Sequence, residues 1–176
     1  MLHRSNNETP APRRALVAFP RLLADDLRRI ESFRGAHDPQ AKRIGVHFTL
    51  VFPAAFDRET ARDEAATVAA RSLPIEFTIR RATAVRDPSE GGGYVFLVPE
   101  TGRAELLDLH ARLHSGALRP LLHGAPPFVP HLTIASDTDF HRCEALAREW
   151  NDSARELRGT LPTIEIFELG AGPIET

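Results

Sequence analysis

Cysteine, lysine and long apolar runs are what this 176-residue chain has least of. Cys143 stands alone, which excludes an internal disulfide and, with no cysteine partner, a zinc ribbon or finger; a reducing cytoplasm is the expected setting. No apolar run approaches the roughly 20 residues a helix needs to cross a bilayer, so no membrane contact is expected. Lys42 is the only lysine, and arginine supplies the rest of the 22 basic side chains. Excess positive charge is missing as well, the formal net charge being −2. A duplex binder neutralises many phosphates with a dense basic face. Duplex DNA is therefore not an expected partner, and any RNA contact is confined to an end or a single phosphate. No Gly-x-Ser-x-Gly elbow occurs, and Cys143 falls in an amphipathic helical pattern where it packs, so nucleophilic serine or cysteine catalysis is not expected. From Met1 to Arg14 the chain is polar, carries Pro10 and Pro12 and lacks an apolar h-region; it reads as a flexible arm rather than a signal peptide.

What is present is an ordinary globular composition, 42% hydrophobic and 26% charged, of a length that suits one domain, expected over 15–176. Apolar periodicity predicts a strand over Ala15–Phe19 and a helix over Arg21–Phe33. A second strand over Ile44–Phe52 stops at Pro53; a helix follows from an Asp57 N-cap to about Arg71, then an alternating run over Ile75–Val85. The same order recurs: strand Tyr94–Val98, helix Gly102–Ser115, strand Phe128–Ala135, helix Thr138–Trp150 and strand Ile164–Leu169. The reading is an α+β, bilobal fold of internally duplicated β-α-β-α-β halves, lobes about 15–86 and 93–170, with two mostly antiparallel sheets flanking a central cleft. Gly91 to Gly93 opens a strand and not a helix, so it lacks the helix N-terminus that holds phosphate in nucleotide-binding loops and reads as a connector.

One feature recurs at the same place in both halves. Val46-His47-Phe48-Thr49-Leu50 and Pro130-His131-Leu132-Thr133-Ile134 each place His-apolar-Thr-apolar on a strand. Strand side chains alternate faces, so His47 and Thr49 point one way with Phe48, Leu50 and Phe52 on the other, and His131 and Thr133 are likewise opposed by Leu132 and Ile134. If the halves pack about a pseudo-twofold axis, two imidazoles and two hydroxyls converge. Cleaving a phosphodiester requires taking a proton from the nucleophile and giving one to the departing oxygen. An imidazole with an ordinary pKa of about 6.5 suits both tasks. Threonine hydroxyls can donate to the non-bridging oxygens as charge builds there. The scheme requires no metal and no cofactor.

With these motifs the chain resembles the 2H phosphoesterase superfamily, particularly its 2′-5′ RNA ligase-like branch, whose mark is two His-x-Thr/Ser motifs, each on a strand of one half of a bilobal fold. The resemblance spans about Ala15 to Leu169. It implies that His47, Thr49, His131 and Thr133 line a central cleft. It also implies hydrolysis of 2′,3′-cyclic phosphates to 2′-phosphates, or related chemistry on 2′-5′ linkages or cyclic ADP-ribose phosphate, with RNA termini or cyclic nucleotides as partners. One departure bears on the phosphate-end contacts and the preferred substrate: many members carry arginine after the second motif, where this chain has Ser136. A monomer is expected. The alternative is a catalytically inactive module that binds RNA ends or nucleotides in the same cleft.

Other residues read more plainly. His110 and His114 lie four apart on a helix, but with no third ligand they are expected on a solvated face rather than at a metal. His37, His123 and His141 are expected at the surface, and His3 belongs to the arm. Tyr94 and Phe96 share one strand face; core packing is the expectation, with stacking on a nucleobase as the competing role. Arg43, Arg80 and Arg86 are candidates for steering a phosphate, but as surface arginines they are expected to be solvated.

Overall fold

The computed structural model describes residues 12–88, 91–122, 127–153 and 155–169. His3, His123 and the arm up to residue 11 lie outside the described residues; Arg13 and Arg14, expected in the arm, already belong to the first strand. The described elements are β1 (Arg13–Ala18), β2 (Arg21–Leu22), α1 (Ala24–His37), β3 (Phe48–Ala55), α2 (Arg58–Ala69), β4 (Ile75–Ile79), β5 (Ala82–Arg86), β6 (Gly93–Leu97), α3 (Arg103–Leu113), β7 (Leu132–Asp137), α4 (Phe140–Asp152), β8 (Leu157–Leu161) and β9 (Glu165–Glu168). A 3-10 turn, Arg119–Leu122, follows α3. The strands form a six-stranded sheet, β5-β6-β7-β3-β1-β9, and a three-stranded sheet, β2-β8-β4, with every pairing antiparallel.

Local chemistry explains most boundaries. Asp57 caps α2 by accepting the Thr60 N–H at 2.8 Å, and Asp139 does the same for α4 from the His141 N–H at 2.9 Å. Gly102 precedes α3 at φ 76°, a left-handed conformation that glycine adopts without the Cβ clash. The alternating run over Ile75–Val85 is two strands. It breaks at Arg80 and Arg81, and β4 goes to the small sheet while β5 goes to the large one. β3 does not stop at Pro53. The register with β1 passes from Arg14↔Ala54 to Leu16↔Val51, so Pro53 sits in an irregular stretch where no ladder donor is required of it. Its carbonyl instead accepts from Arg13 Nη2 at 2.7 Å. β8 escaped the periodicity reading, because Leu157-Arg158-Gly159-Thr160-Leu161 has only its two ends buried. Gly159 stays small there because an added Cβ would fall within 3 Å of both Phe77 and Leu22.

The sheets do not follow the two halves of the chain. β5 from the first half pairs with β6, and β9 from the second half pairs with β1. The large sheet is thus two three-stranded sets, β5-β6-β7 and β3-β1-β9. They are joined where β3 meets β7, and the register there holds at one position, Phe48↔Leu132. By contrast β6 and β7 pair at five positions. Phe48, Leu50, Leu132 and Ile134 are wholly buried in the main core with residues of all four helices, and Phe77 of β4 sets its ring edge-on to Phe48 at 5.3 Å. The small sheet and the helices therefore cover one face of this seam, leaving the other for polar side chains.

Candidate active site

The seam decides how the two motifs meet. An antiparallel pairing of Phe48 with Leu132, continued by one residue each way, sets His47 opposite Thr133 and Thr49 opposite His131. The four polar side chains alternate around one small patch, all half-buried, while Phe48 and Leu132 between them are fully buried on the reverse face. The convergence expected from a pseudo-twofold comes about through adjacent strands of one sheet.

The same symmetry extends to an irregularity. Val17 pairs with Thr49 and Leu16 with Val51, so Leu50 is an extra residue; Phe96 pairs with Thr133 and Val95 with Ala135, so Ile134 is another. Each motif thus ends in a bulge directly after its threonine. The consequence is that Leu50 and Val51, and Ile134 and Ala135, are all buried, where strict alternation would turn Val51 and Ala135 toward the site. Strict alternation also fails for Phe52, which is half-buried rather than sharing the core face of Phe48 and Leu50. On β7 the phase shift leaves Ser136 half-exposed opposite Tyr94.

Both imidazoles are held alike. His47 Nδ1 donates to the carbonyl of Gly45 at 2.8 Å and His131 Nδ1 to that of Val129 at 2.6 Å, each two residues back. Because a carbonyl only accepts, the proton of the neutral ring resides on Nδ1, and Nε2 is left as a lone-pair site with no partner among the described residues. Burial lowers the pKa of both rings below the ordinary 6.5, opposed by the carbonyl contacts. Repulsion from His47 lowers that of His131 further, so the two rings lie within electrostatic reach of each other.

Buried groups that sequence reasoning passed over position these rings. Arg34 of α1, 1% exposed, pairs with Asp38 at 2.8 Å and donates to the Ile44 carbonyl at 3.0 Å, while Glu31 accepts the Val46 N–H at 2.6 Å. Together they fix the turn that delivers His47. The signal available was the spacing of Glu31, Arg34 and Asp38, three and four residues apart on one helix face. On the other side, His110 and His114 are not on a solvated face as expected. His114 is 5% exposed, and His110 Nδ1 donates to the Leu50 carbonyl at 2.7 Å while its ring stacks on Phe128 at 3.9 Å. His110 therefore links the bulge after the first motif to the segment just before the second, and the bulge carbonyl of Leu50 explains why a ring donor is wanted there.

Tyr94 and Phe96 depart from the core-packing expectation. Both are half-exposed on β6; they stack on each other at 5.6 Å and 16°, and Phe96 stacks on His131 at 3.6 Å and 21°. The first half offers no such shelf: beside Thr49 stands Val17, closed over with Ala15 and Ile44 by Phe19, Phe167 and Leu169. His37 is half-buried with its ring against Phe33 at 4.7 Å, whereas His141 is exposed and pairs with Glu144. Arg80 pairs with Glu100 and Glu156, and Arg86 lies over the Phe140 ring at 4.0 Å. Cys143 is buried, and burial pushes its thiol up. Among the described residues no three of His, Cys, Asp and Glu gather to hold a metal ion.

The sequence profile of the 2′-5′ RNA ligase superfamily matches residues 19–172. The chain belongs to this superfamily. A relative from Oceanobacillus iheyensis, named "Putative phosphoesterase OB1230", is 28% identical over 127 residues, 70% of each chain. Among solved structures, Usb1 of Kluyveromyces marxianus superposes with a TM-score of 0.50 at 9% identity, over 89% of this chain and 97% of that one. It shares the fold. Apo LigT of E. coli gives a TM-score of 0.46 at 24% identity over 73% of both chains, and its complex with 3′-AMP gives 0.48 at 17% over 93% and 99%.

Proposed function

We propose that the chain is a phosphoesterase that opens 2′,3′-cyclic phosphates or cleaves 2′-5′ phosphodiesters at RNA ends or on nucleotides, with His47 and His131 as its acid–base pair. The observation that carries this is the crossed placement of the two motifs. Each imidazole is tethered through Nδ1, keeps Nε2 without a partner among the described residues, and stands in register with a threonine of the opposite strand. The named phosphoesterase relative and the superfamily profile support the same class of reaction.

The steps follow from that geometry. One neutral imidazole removes a proton from water through Nε2 as the water oxygen bonds to phosphorus. The other, protonated, gives its Nε2 proton to the ribose oxygen as the phosphorus–oxygen bond breaks. Thr49 and Thr133 donate to the non-bridging oxygens, whose charge grows as phosphorus becomes five-coordinate; such preorganised donors are typically worth a few kcal/mol. The mutual repulsion of the two rings favours the singly protonated pair that this exchange requires. With a ribose hydroxyl in place of water as the nucleophile, the same two proton transfers join that oxygen to phosphorus as the ring P–O bond breaks, and the reverse of that step cleaves a 2′-5′ linkage. The aromatic row that runs from the His131 ring through Phe96 to Tyr94 supports a nucleotide substrate, since it lines one side of the site with surface on which a nucleobase packs well.

The test is turnover of a panel of 2′,3′-cyclic nucleotides, 2′-5′ dinucleotides and cyclic ADP-ribose phosphate, with and without exhaustive chelation. Product position is read by phosphorus NMR. Chelator-resistant hydrolysis of at least one panel member is expected. Tight binding without turnover would instead mark a recognition module, and activity lost on chelation and restored by zinc or manganese would overturn the mechanism.

A further inference from the structure

Beyond Tyr94 and Ser136 the large sheet borders a cavity of about 300 Å³ whose walls include Pro39, Asp137 and Thr138. A second cavity, of about 580 Å³, shares Pro39, Ser136 and Asp137 with the first and adds His37, Lys42 and Arg142. Lys42, the only lysine of the chain, and Arg142 are exposed, and neither has an ion-pair partner among the described residues. The acidic groups in this wall do not cancel them. Asp38 is taken by Arg34 at 2.8 Å, which leaves Asp137, whose Oδ1 already accepts the Asp139 N–H at 2.8 Å. The larger cavity therefore presents two cations without an ion-pair partner among the described residues against one carboxylate.

Position gives this charge a meaning. Thr133 and Ser136 pair with Phe96 and Tyr94, two residues apart on β6 and so separated by roughly 7 Å, and the Phe96–Tyr94 shelf runs beside that interval. Because the two cavities share Pro39, Ser136 and Asp137, and Tyr94 lines the smaller one, they run on from the end of the shelf to the cations. We infer that the Lys42–Arg142 cavity is a second phosphate subsite, which takes the 5′-phosphate of the reacting nucleotide or the backbone phosphate that precedes it. The favoured substrate class is then an oligonucleotide end rather than a bare nucleoside cyclic phosphate. The cations come from the turn after α1 and from α4. This inference takes the location of the reacting phosphate from the reading above, but its test does not depend on turnover alone.

A nucleoside 2′,3′-cyclic phosphate is compared with the same compound bearing a 5′-phosphate, using the full chain and its Lys42→Gln/Arg142→Gln double variant. The unmodified protein is expected to favour the 5′-phosphorylated compound by about tenfold in kcat/KM, as two exposed charge pairs would provide. The double variant is expected to lose that preference while its rate on the other compound is unchanged. No preference in the unmodified protein, or an equal fall on both compounds in the variant, would overturn the subsite. If neither compound is turned over, calorimetric titration decides the subsite apart from the acid–base reading, which the wider substrate panel tests. Tighter binding of a nucleoside 3′,5′-bisphosphate than of the 3′-monophosphate, lost in the double variant, supports it; equal affinities remove it.

Discussion

Phe48 lies opposite Leu132 at the single paired position joining the two halves of the large sheet, and both side chains are fully buried. That contact holds the crossed arrangement of the two motifs, because a slip of one residue would turn either histidine to the wrong face. Phe48→Ala removes a ring that also meets Phe77 edge-on, and such truncations cost about 3–5 kcal/mol. We expect a loss of that size in denaturant unfolding, with a fall in kcat even for the folded fraction. A variant with unchanged stability, or one that loses stability but keeps full kcat, would mean that the seam does not set the site.

The pairing itself was not legible in the sequence, although each strand was. Alternation identified His47 with Thr49 and His131 with Thr133, since two residues apart on a strand is a local property. Their meeting depends on which strands become neighbours, and that is settled by burial of Phe48 against Leu132 and Phe77. The bulges were hidden for a related reason: Leu50-Val51 and Ile134-Ala135 read as ordinary apolar strand, and only the partner strand reveals the extra residue. His110 misled because helical spacing says which residues share a face, not whether that face is wet. The missed β8 and the divided β4 and β5 show the limit of periodicity where strands are short and one is interrupted by an arginine pair.

The two imidazoles should impose a pH dependence on stability and on rate. Burial lowers both pKa values in the folded protein, so the unfolded chain holds more protons wherever the two states differ. Their contribution to stability is complete above the ordinary value of about 6.5 and is lost as pH falls from there through the folded values. His47→Gln should flatten that acid-side slope in thermal melts. With one ring neutral and one protonated in the active form, kcat/KM should be bell-shaped with its maximum on the acidic side of about 6.5. A flat profile, or one centred well above neutrality, would count against the pair.

Thr49→Val and Thr133→Val keep the β-branched strand shape while deleting a donor. If the hydroxyls hold charge that grows in the transition state, each change should lower kcat by roughly ten- to a thousandfold with little effect on melting. The crossed register adds a finer expectation: Thr49→Val should disturb the titration of His131 more than that of His47, because Thr49 stands opposite His131. Proton NMR of the imidazoles against pH reads this directly. Full activity in both variants would return the threonines to the status of strand residues.

The sharpest prediction concerns His47→Ala and His131→Ala. Each removes one end of a single proton-transfer chain, and a general acid or base is typically worth about 10²- to 10⁴-fold, so each variant should retain little turnover. The two act on one transition state, so once the first is gone the second has less left to contribute. The double variant should therefore lose clearly less than the product of the single losses. Folding should be affected only modestly, since both rings are half-buried and each contributes one hydrogen bond to a carbonyl of its own turn. Removing His131 also exposes the face of Phe96 that it covers, so a nucleotide should still bind to that variant even as it ceases to react. Should the losses multiply in full, the histidines act independently; should both variants stay fully active on every member of the substrate panel, they are structural, and the reaction belongs elsewhere on the molecule.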